Sequence, residues 1–259
     1  MPVRRIAPSF RERVWGVTKL EPWFPNPKER IGEVWFENSG ELPLLVKFVF
    51  TSAKLSVQVH PDDAYARERH NCSGKTEMWH VLAAEPGAKI AAGFREPITP
   101  ERIREAALSG EIENLLEWHD ASAGDTFFIP AGTVHAIGPG LVLCEIQQNS
   151  DITYRLYDYG RPRELHLEHA LNVIHGDRCD VRVVPTTPAL VDCDHFHVSQ
   201  WDITGEEAHT SYAPTYYIVA QGAGAIAGMP TKAGDVWMVD EFVELHGPMT
   251  LLLAKKLEE

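Results

Sequence analysis

The sequence lacks any long apolar run. No segment reaches the roughly 18 consecutive apolar residues of a membrane-spanning helix, and the opening MPVRRIAPSFRERVWG contains no uninterrupted apolar stretch of the signal-peptide kind. The expected location is therefore cytoplasmic, with no membrane partner. Positive charge is also scarce: 24 Lys and Arg stand against 37 Asp and Glu, for a net charge of -13. Without a basic run to neutralise phosphates, nucleic acids and anionic membrane surfaces are excluded as expected partners, and any attraction for an anionic substrate has to be local. Cysteine is sparse and dispersed. Cys72, Cys144, Cys179 and Cys193 contain no C-x-x-C pair, so neither a disulfide framework nor a cysteine zinc site is expected, and the four read as reduced thiols.

What is present is a chain of 259 residues with 44% hydrophobic side chains, enough for a substantial core in one large or two small domains. Short β-rich runs dominate: EVWF (33–36), LLVKFVF (44–50), KLSVQVH (54–60), EMWHVL (77–82), AKIAAGF (88–94), DTFFIP (125–130), LVLCEIQQ (141–148) and TYRLYDY (153–159). Most are separated by turn-forming Gly, Pro, Asn or Asp. One interruption has helical spacing, TPERIREAALSGEIENLLEWHD (99–120), with Thr99 as N-cap and Pro100 at the first helical position. A second short helix is expected at HLEHALNVIH (166–175).

After residue 194 strands resume, and their order echoes the first half: AGDVWMV (233–239) follows AGDTFFIP (123–130), and YYIVAQGAGAI (216–226) follows WHVLAAEPGAKI (79–90). The expected fold class is all-β dominated, two jelly-roll β-barrels with short helical insertions. The expected division is a first barrel over 1–165, with a helical insertion at about 99–120, then a linker helix and a degenerate second barrel over 166–259.

The first barrel carries residues with the character of metal ligands. Gln58 and His60 are two apart on a strand and share one face, while Val57 and Val59 take the other. Glu77 opens the next long strand, and His135 follows the Pro-Ala-Gly turn of FFIPAGTVH. Amide oxygen, carboxylate and neutral imidazole together suit a hard or borderline divalent ion. The bland alternatives are a solvated edge-strand face for Gln58 and His60 and a solvated strand end for Glu77.

The motifs QVHPDDAYA, GKTEMWHVL, FFIPAGTVHAIGPG and EIQQNSDITYRLYDYGR, with ERVWGVTKLEPWF and IGEVWF near the N-terminus, resemble those of the type I phosphomannose isomerases in their short bacterial form. The likeness is strong over about residues 11 to 165. It implies a metal-dependent cupin enzyme that interconverts mannose 6-phosphate and fructose 6-phosphate, with one zinc or another divalent ion per chain held at Gln58, His60, Glu77 and His135. The resemblance further marks Arg155 and Lys75 as active-site residues and a sugar phosphate as partner. Isomerisation through a cis-enediol(ate) needs a cation near the developing oxyanion and a base that moves a proton between C1 and C2, and the sequence leaves the base open.

Alternatives remain at this point. Lys75 reads equally as a surface loop charge, and Arg155 as a structural partner of Asp151 or Asp158. Two His and a carboxylate also suit an iron-dependent cupin dioxygenase, and a non-catalytic sugar-binding cupin is a third reading. The large helical domain of longer family members has no counterpart beyond residues 99–120, which leaves the phosphate contacts open. His80 lies on the strand face opposite Glu77, and Trp79 and Tyr154 read as core. His246 follows the second AGD much as His135 follows the first, but without companions, so the second barrel is expected to be metal-free.

Overall fold

The computed structural model describes residues 3–37, 42–176, 181–183 and 188–257. Cys179 lies outside them. The chain forms two compact units, 1–49 with 183–259, and 50–182. Antiparallel strands dominate both, as expected from the sequence, and no helix among the described residues is long and apolar enough to cross a membrane. The division differs from a boundary at residue 165. Val3–Ile6 pairs antiparallel with Val236–Val239, from Val3 opposite Val239 to Ile6 opposite Val236, so the start of the chain covers an edge strand of the C-terminal barrel.

In the 50–182 unit a five-stranded sheet runs in the order Tyr154–Tyr157, Val57–Val59, His135–Ile137, Lys89–Phe94, Leu116–Asp120. Thr126–Ile129, Glu77–Ala84 and Leu141–Gln148 pair side by side to form the second sheet of the unit. Helices cover the outer face of the five-stranded sheet. Ile103, Ala106 and Ala107 of Pro100–Ser109, and Ala170 of Leu167–Val173, pack on Val57, Val59, Ala136 and Leu156. Val57 and Val59 are thus buried beneath the helices, and strand alternation turns Gln58 to the opposite face.

Pro100–Ser109 begins as the sequence predicts, with the Thr99 hydroxyl accepting from Arg102 N–H at 3.4 Å and Pro100 in the first turn. It ends at Gly110, whose φ of 81° lies in the left-handed region that glycine adopts without strain. The expected helical stretch to residue 120 is corrected here. One further turn, Ile112–Leu115, is followed by a strand, Leu116–Asp120, because these residues pair with Lys89–Phe94, His119 lying opposite Ile90. An unexpected helix, Asp63–His70, starts at Asp62, whose carboxylate accepts from Tyr65 N–H at 2.8 Å.

In the other unit Val3–Ile6, Val236–Val239, Thr215–Ile226, Met249–Lys256, Phe196–Ile203 and Ala189–Asp192 form one sheet. Tyr217, Val219, Leu251, Leu253 and Trp237 lie on a single face and form its core. Tyr216, on the other face, donates its hydroxyl to Leu44 O at 2.6 Å.

Candidate metal centre

Strand register assembles the site. His135 lies opposite Gln58, and Arg155 lies opposite Gln58 on its other side, so the three side chains form one row on the face turned away from the helices. Glu77 and Trp79 share the face of Glu77–Ala84 that carries Glu145 opposite Trp79. The indole of Trp79 meets the His135 ring edge-on at 5.3 Å, which joins the two rows. His60 sits just past the end of its strand, its ring 4.8 Å from that of His135. His60, Glu77 and His135 each offer a ligand atom within 4.8 Å of the others, and all three are sealed from solvent.

Backbone carbonyls fix the imidazole tautomers. His60 Nδ1 lies 2.8 Å from Ile152 O, and His135 Nδ1 lies 2.9 Å from Thr133 O. A carbonyl only accepts, so both Nδ1 atoms carry the proton and both Nε2 atoms present a lone pair to the centre. Lys75 Nζ donates to His60 Nε2 at 3.0 Å, and Gln58 Nε2 donates to His135 Nε2 at 3.2 Å. The Gln58 carbonyl oxygen accepts from Ser56 Oγ at 3.2 Å.

Protonation states follow from burial and charge. Burial, then Lys75, lowers the His60 imidazole to about 3. Burial also lowers His135. For Glu77 burial pushes upward, but Lys75 and the two imidazoles hold its carboxyl well below the usual carboxylate range. Two neutral imidazoles therefore face one carboxylate. The Glu77 oxygens lie 2.5 Å from Lys75 Nζ and 3.4 and 3.6 Å from the His135 and His60 Nε2 atoms. Both are buried, with Lys75 as the charged partner and no aligned hydrogen bond, and the donor set of two imidazoles and one carboxylate fits a divalent ion.

Lys75 is no surface charge: it is 4% exposed and points into the donors, with Glu145 Oε1 at 3.9 Å. Glu145 in turn accepts from the Trp79 indole at 3.0 Å. Sequence reasoning missed Glu145 in this wall; its signal was a lone carboxylate inside the apolar run LVLCEI. Trp79, read as core, is fully buried and is also a wall of the centre. His80 faces away and pairs through Nδ1 with Thr126 Oγ1 at 3.0 Å.

Arg155 is half-buried and donates from Nη1 to Glu164 O at 2.7 Å. Asp158 is occupied by Arg161 at 2.8 Å and Arg163 at 2.5 Å, and among the described residues Arg155 forms no ion pair. The structural salt bridge weighed for it is therefore not formed. His246 is exposed, with Nδ1 3.9 Å from Glu206 Oε1, and is not part of the centre.

No protein-family model matches the chain. Mannose-6-phosphate isomerase ManA of Bacillus subtilis is 34% identical over 283 residues, spanning 88% of this chain and 90% of the relative. The mannose-6-phosphate isomerase of Streptococcus mutans is 39% identical over 219 residues, spanning 79% of this chain and 67% of the relative. The crystal structure of the mannose 6-phosphate isomerase from Bacillus subtilis resembles this one with a TM-score of 0.88 at 27% identity, over 98% of this chain and all of that one.

Proposed function

The chain belongs to the mannose-6-phosphate isomerase family, and from that premise we propose that it interconverts mannose 6-phosphate and fructose 6-phosphate with one zinc ion held by Gln58, His60, Glu77 and His135. The observation that carries this reading is the convergence of two proton-free imidazole nitrogens and an ionised carboxylate in a sealed wall. When bound, the ion supplies Lewis acidity toward the sugar oxygens. Gln58 contributes its carbonyl oxygen only if the amide turns from the orientation in which its nitrogen faces His135.

The chain's own groups account for the rest. The proton leaving C2 is returned at C1 and the O2 proton passes to O1, so the conversion balances without a co-reactant. Negative charge grows on oxygen as the enediolate forms. Lys75, whose ammonium already bridges His60 and Glu77, places donors beside that charge. Arg155 stays protonated near neutral pH and cannot serve as the base; its planar fork suits an enediolate or phosphate oxygen. Glu145 and Trp79 hold Lys75 and His135 from behind.

The test is a coupled assay of the metal-loaded protein on mannose 6-phosphate, beside free mannose and other aldose phosphates, with oxygen uptake recorded in parallel. Fructose 6-phosphate formation without oxygen consumption supports the isomerase. Oxygen consumption without isomerisation would replace it with the dioxygenase reading.

A further inference from the structure

A cavity of about 370 Å³ lies wholly within the unit of 1–49 and 183–259. Register explains its place. On the core-facing side of Phe196–Ile203, Met249–Lys256 and Thr215–Ile226, side chains stand in rows of three. Trp201, Leu251 and Val219 make one row, Ser199, Leu253 and Tyr217 the next, and His197, Lys255 and Thr215 the last. The sequence of rows runs from apolar to polar, and each row contributes to the lining.

Its inner wall is held in place by hydrogen bonds and ring packing. The Tyr217 hydroxyl, buried, bonds Ser211 Oγ at 3.0 Å and also His209 Nδ1. The His209 ring packs on the Trp201 indole at 4.7 Å, and the indole N–H donates to Ser199 Oγ at 3.2 Å. Lys255 is exposed and forms no ion pair among the described residues. Among the described residues no carboxylate lines the cavity, although the chain carries a net charge of -13. Asp192, 3.3 Å from His197 Nδ1, is not among the lining residues. Tyr212 stands at the rim, 96% exposed.

We propose that this cavity binds a phosphorylated monosaccharide, with Lys255 taking the phosphate and the aromatic rings of Trp201 and Tyr212 taking the apolar face of the sugar. An ammonium without a competing carboxylate favours a phosphate oxygen, and hydroxyl and imidazole groups suit sugar hydroxyls. Aromatic rings offer large apolar area with a polar edge, and the volume is in the range of small-molecule sites. The inference is independent of the isomerase reading, because none of its residues belongs to the metal centre.

The experiment follows the Trp201 indole N–H signal by NMR in the metal-loaded full chain, the signal being assigned by its loss in Trp201→Phe. Glucose 6-phosphate, free glucose and inorganic phosphate are the probes, so that the signal is read without turnover of mannose 6-phosphate. Glucose 6-phosphate is expected to shift the signal saturably, and Lys255→Ala to weaken that binding by about tenfold, with partial recovery in Lys255→Arg. Free glucose and phosphate are expected to bind at least about tenfold more weakly, each keeping only part of the contacts. An unmoved Trp201 signal, or equal affinity in Lys255→Ala, overturns the proposal. Inorganic phosphate binding as tightly as glucose 6-phosphate overturns the assignment to a sugar.

Discussion

Replacing Arg155 by Ala separates catalysis from folding, because this side chain is lightly held. Among the described residues its one side-chain hydrogen bond runs from Nη1 to Glu164 O at 2.7 Å, and its Nε is buried without a partner. Removing one such half-exposed donor costs about 1 kcal/mol, small against a typical stability of 5–15 kcal/mol. The melting temperature is therefore expected to fall by only about 2–4 °C. Metal content is expected to hold, because Arg155 is not one of the donor groups. If the guanidinium stabilises the enediolate, kcat falls about 10²- to 10³-fold, the equivalent of about 2.7–4 kcal/mol for one lost electrostatic donor. Arg155→Lys keeps the charge, loses the planar fork and recovers part of the loss. If Arg155 instead anchors the phosphate in ground and transition states alike, KM rises while kcat holds. Melting, elemental analysis and the coupled assay on one preparation distinguish these cases. Wild-type kcat and KM in a folded, metal-loaded variant would refute a role for Arg155 and leave Lys75 as the main cation.

His60→Ala and His135→Ala are each expected to weaken metal binding by at least about tenfold, measured by competition with a chelator; unchanged affinity in both would remove the centre as drawn. His246→Ala, an exposed change beside Glu206, is expected to leave metal content and turnover within about twofold; a larger loss in a folded variant would show that the C-terminal unit takes part in the chemistry. His80 adds a pH dependence. Burial lowers it from 6.5 to about 4, with Asp125 opposing, so below pH 6.5 the unfolded chain takes up the proton before the folded one. Its contribution is intact above 6.5 and is lost as pH falls to about 4, by about 3 kcal/mol in all. Denaturant titrations of His80→Gln against wild type over this range check it: the difference between them is expected to shrink or invert toward acid pH, and parallel curves would contradict it.

The donor row was legible because a strand has a period of two. Val57 and Val59 had to be buried on one side, which sent Gln58 to the other, and the structure supplies the helices that bury them. The start of Pro100–Ser109 was legible from Thr99 and Pro100, which act within one turn. Its end was not fully so, since Leu116–Asp120 becomes a strand through pairing with Lys89–Phe94, a tertiary effect that overrides local spacing. Val3–Ile6 gave no local signal because its partner, Val236–Val239, is more than 200 residues away. Asp63–His70 was missed for the opposite reason: it has little apolar periodicity, and its Asp62 cap provides the local start signal. The cation next to Glu77 was visible as Lys75, but its burial was not, because that depends on where the strand bearing Glu145 is placed.

The central claim is that sugar-phosphate isomerisation depends on an ion held by the two imidazoles and the Glu77 carboxylate. Its most direct test is to strip the protein of metal and titrate zinc back while following fructose 6-phosphate formation from mannose 6-phosphate. The account predicts negligible turnover without metal and a linear rise that breaks at one ion per chain, with Glu77→Gln failing to respond. Full activity in the stripped protein, or zinc bound at one per chain with no isomerisation, would contradict it.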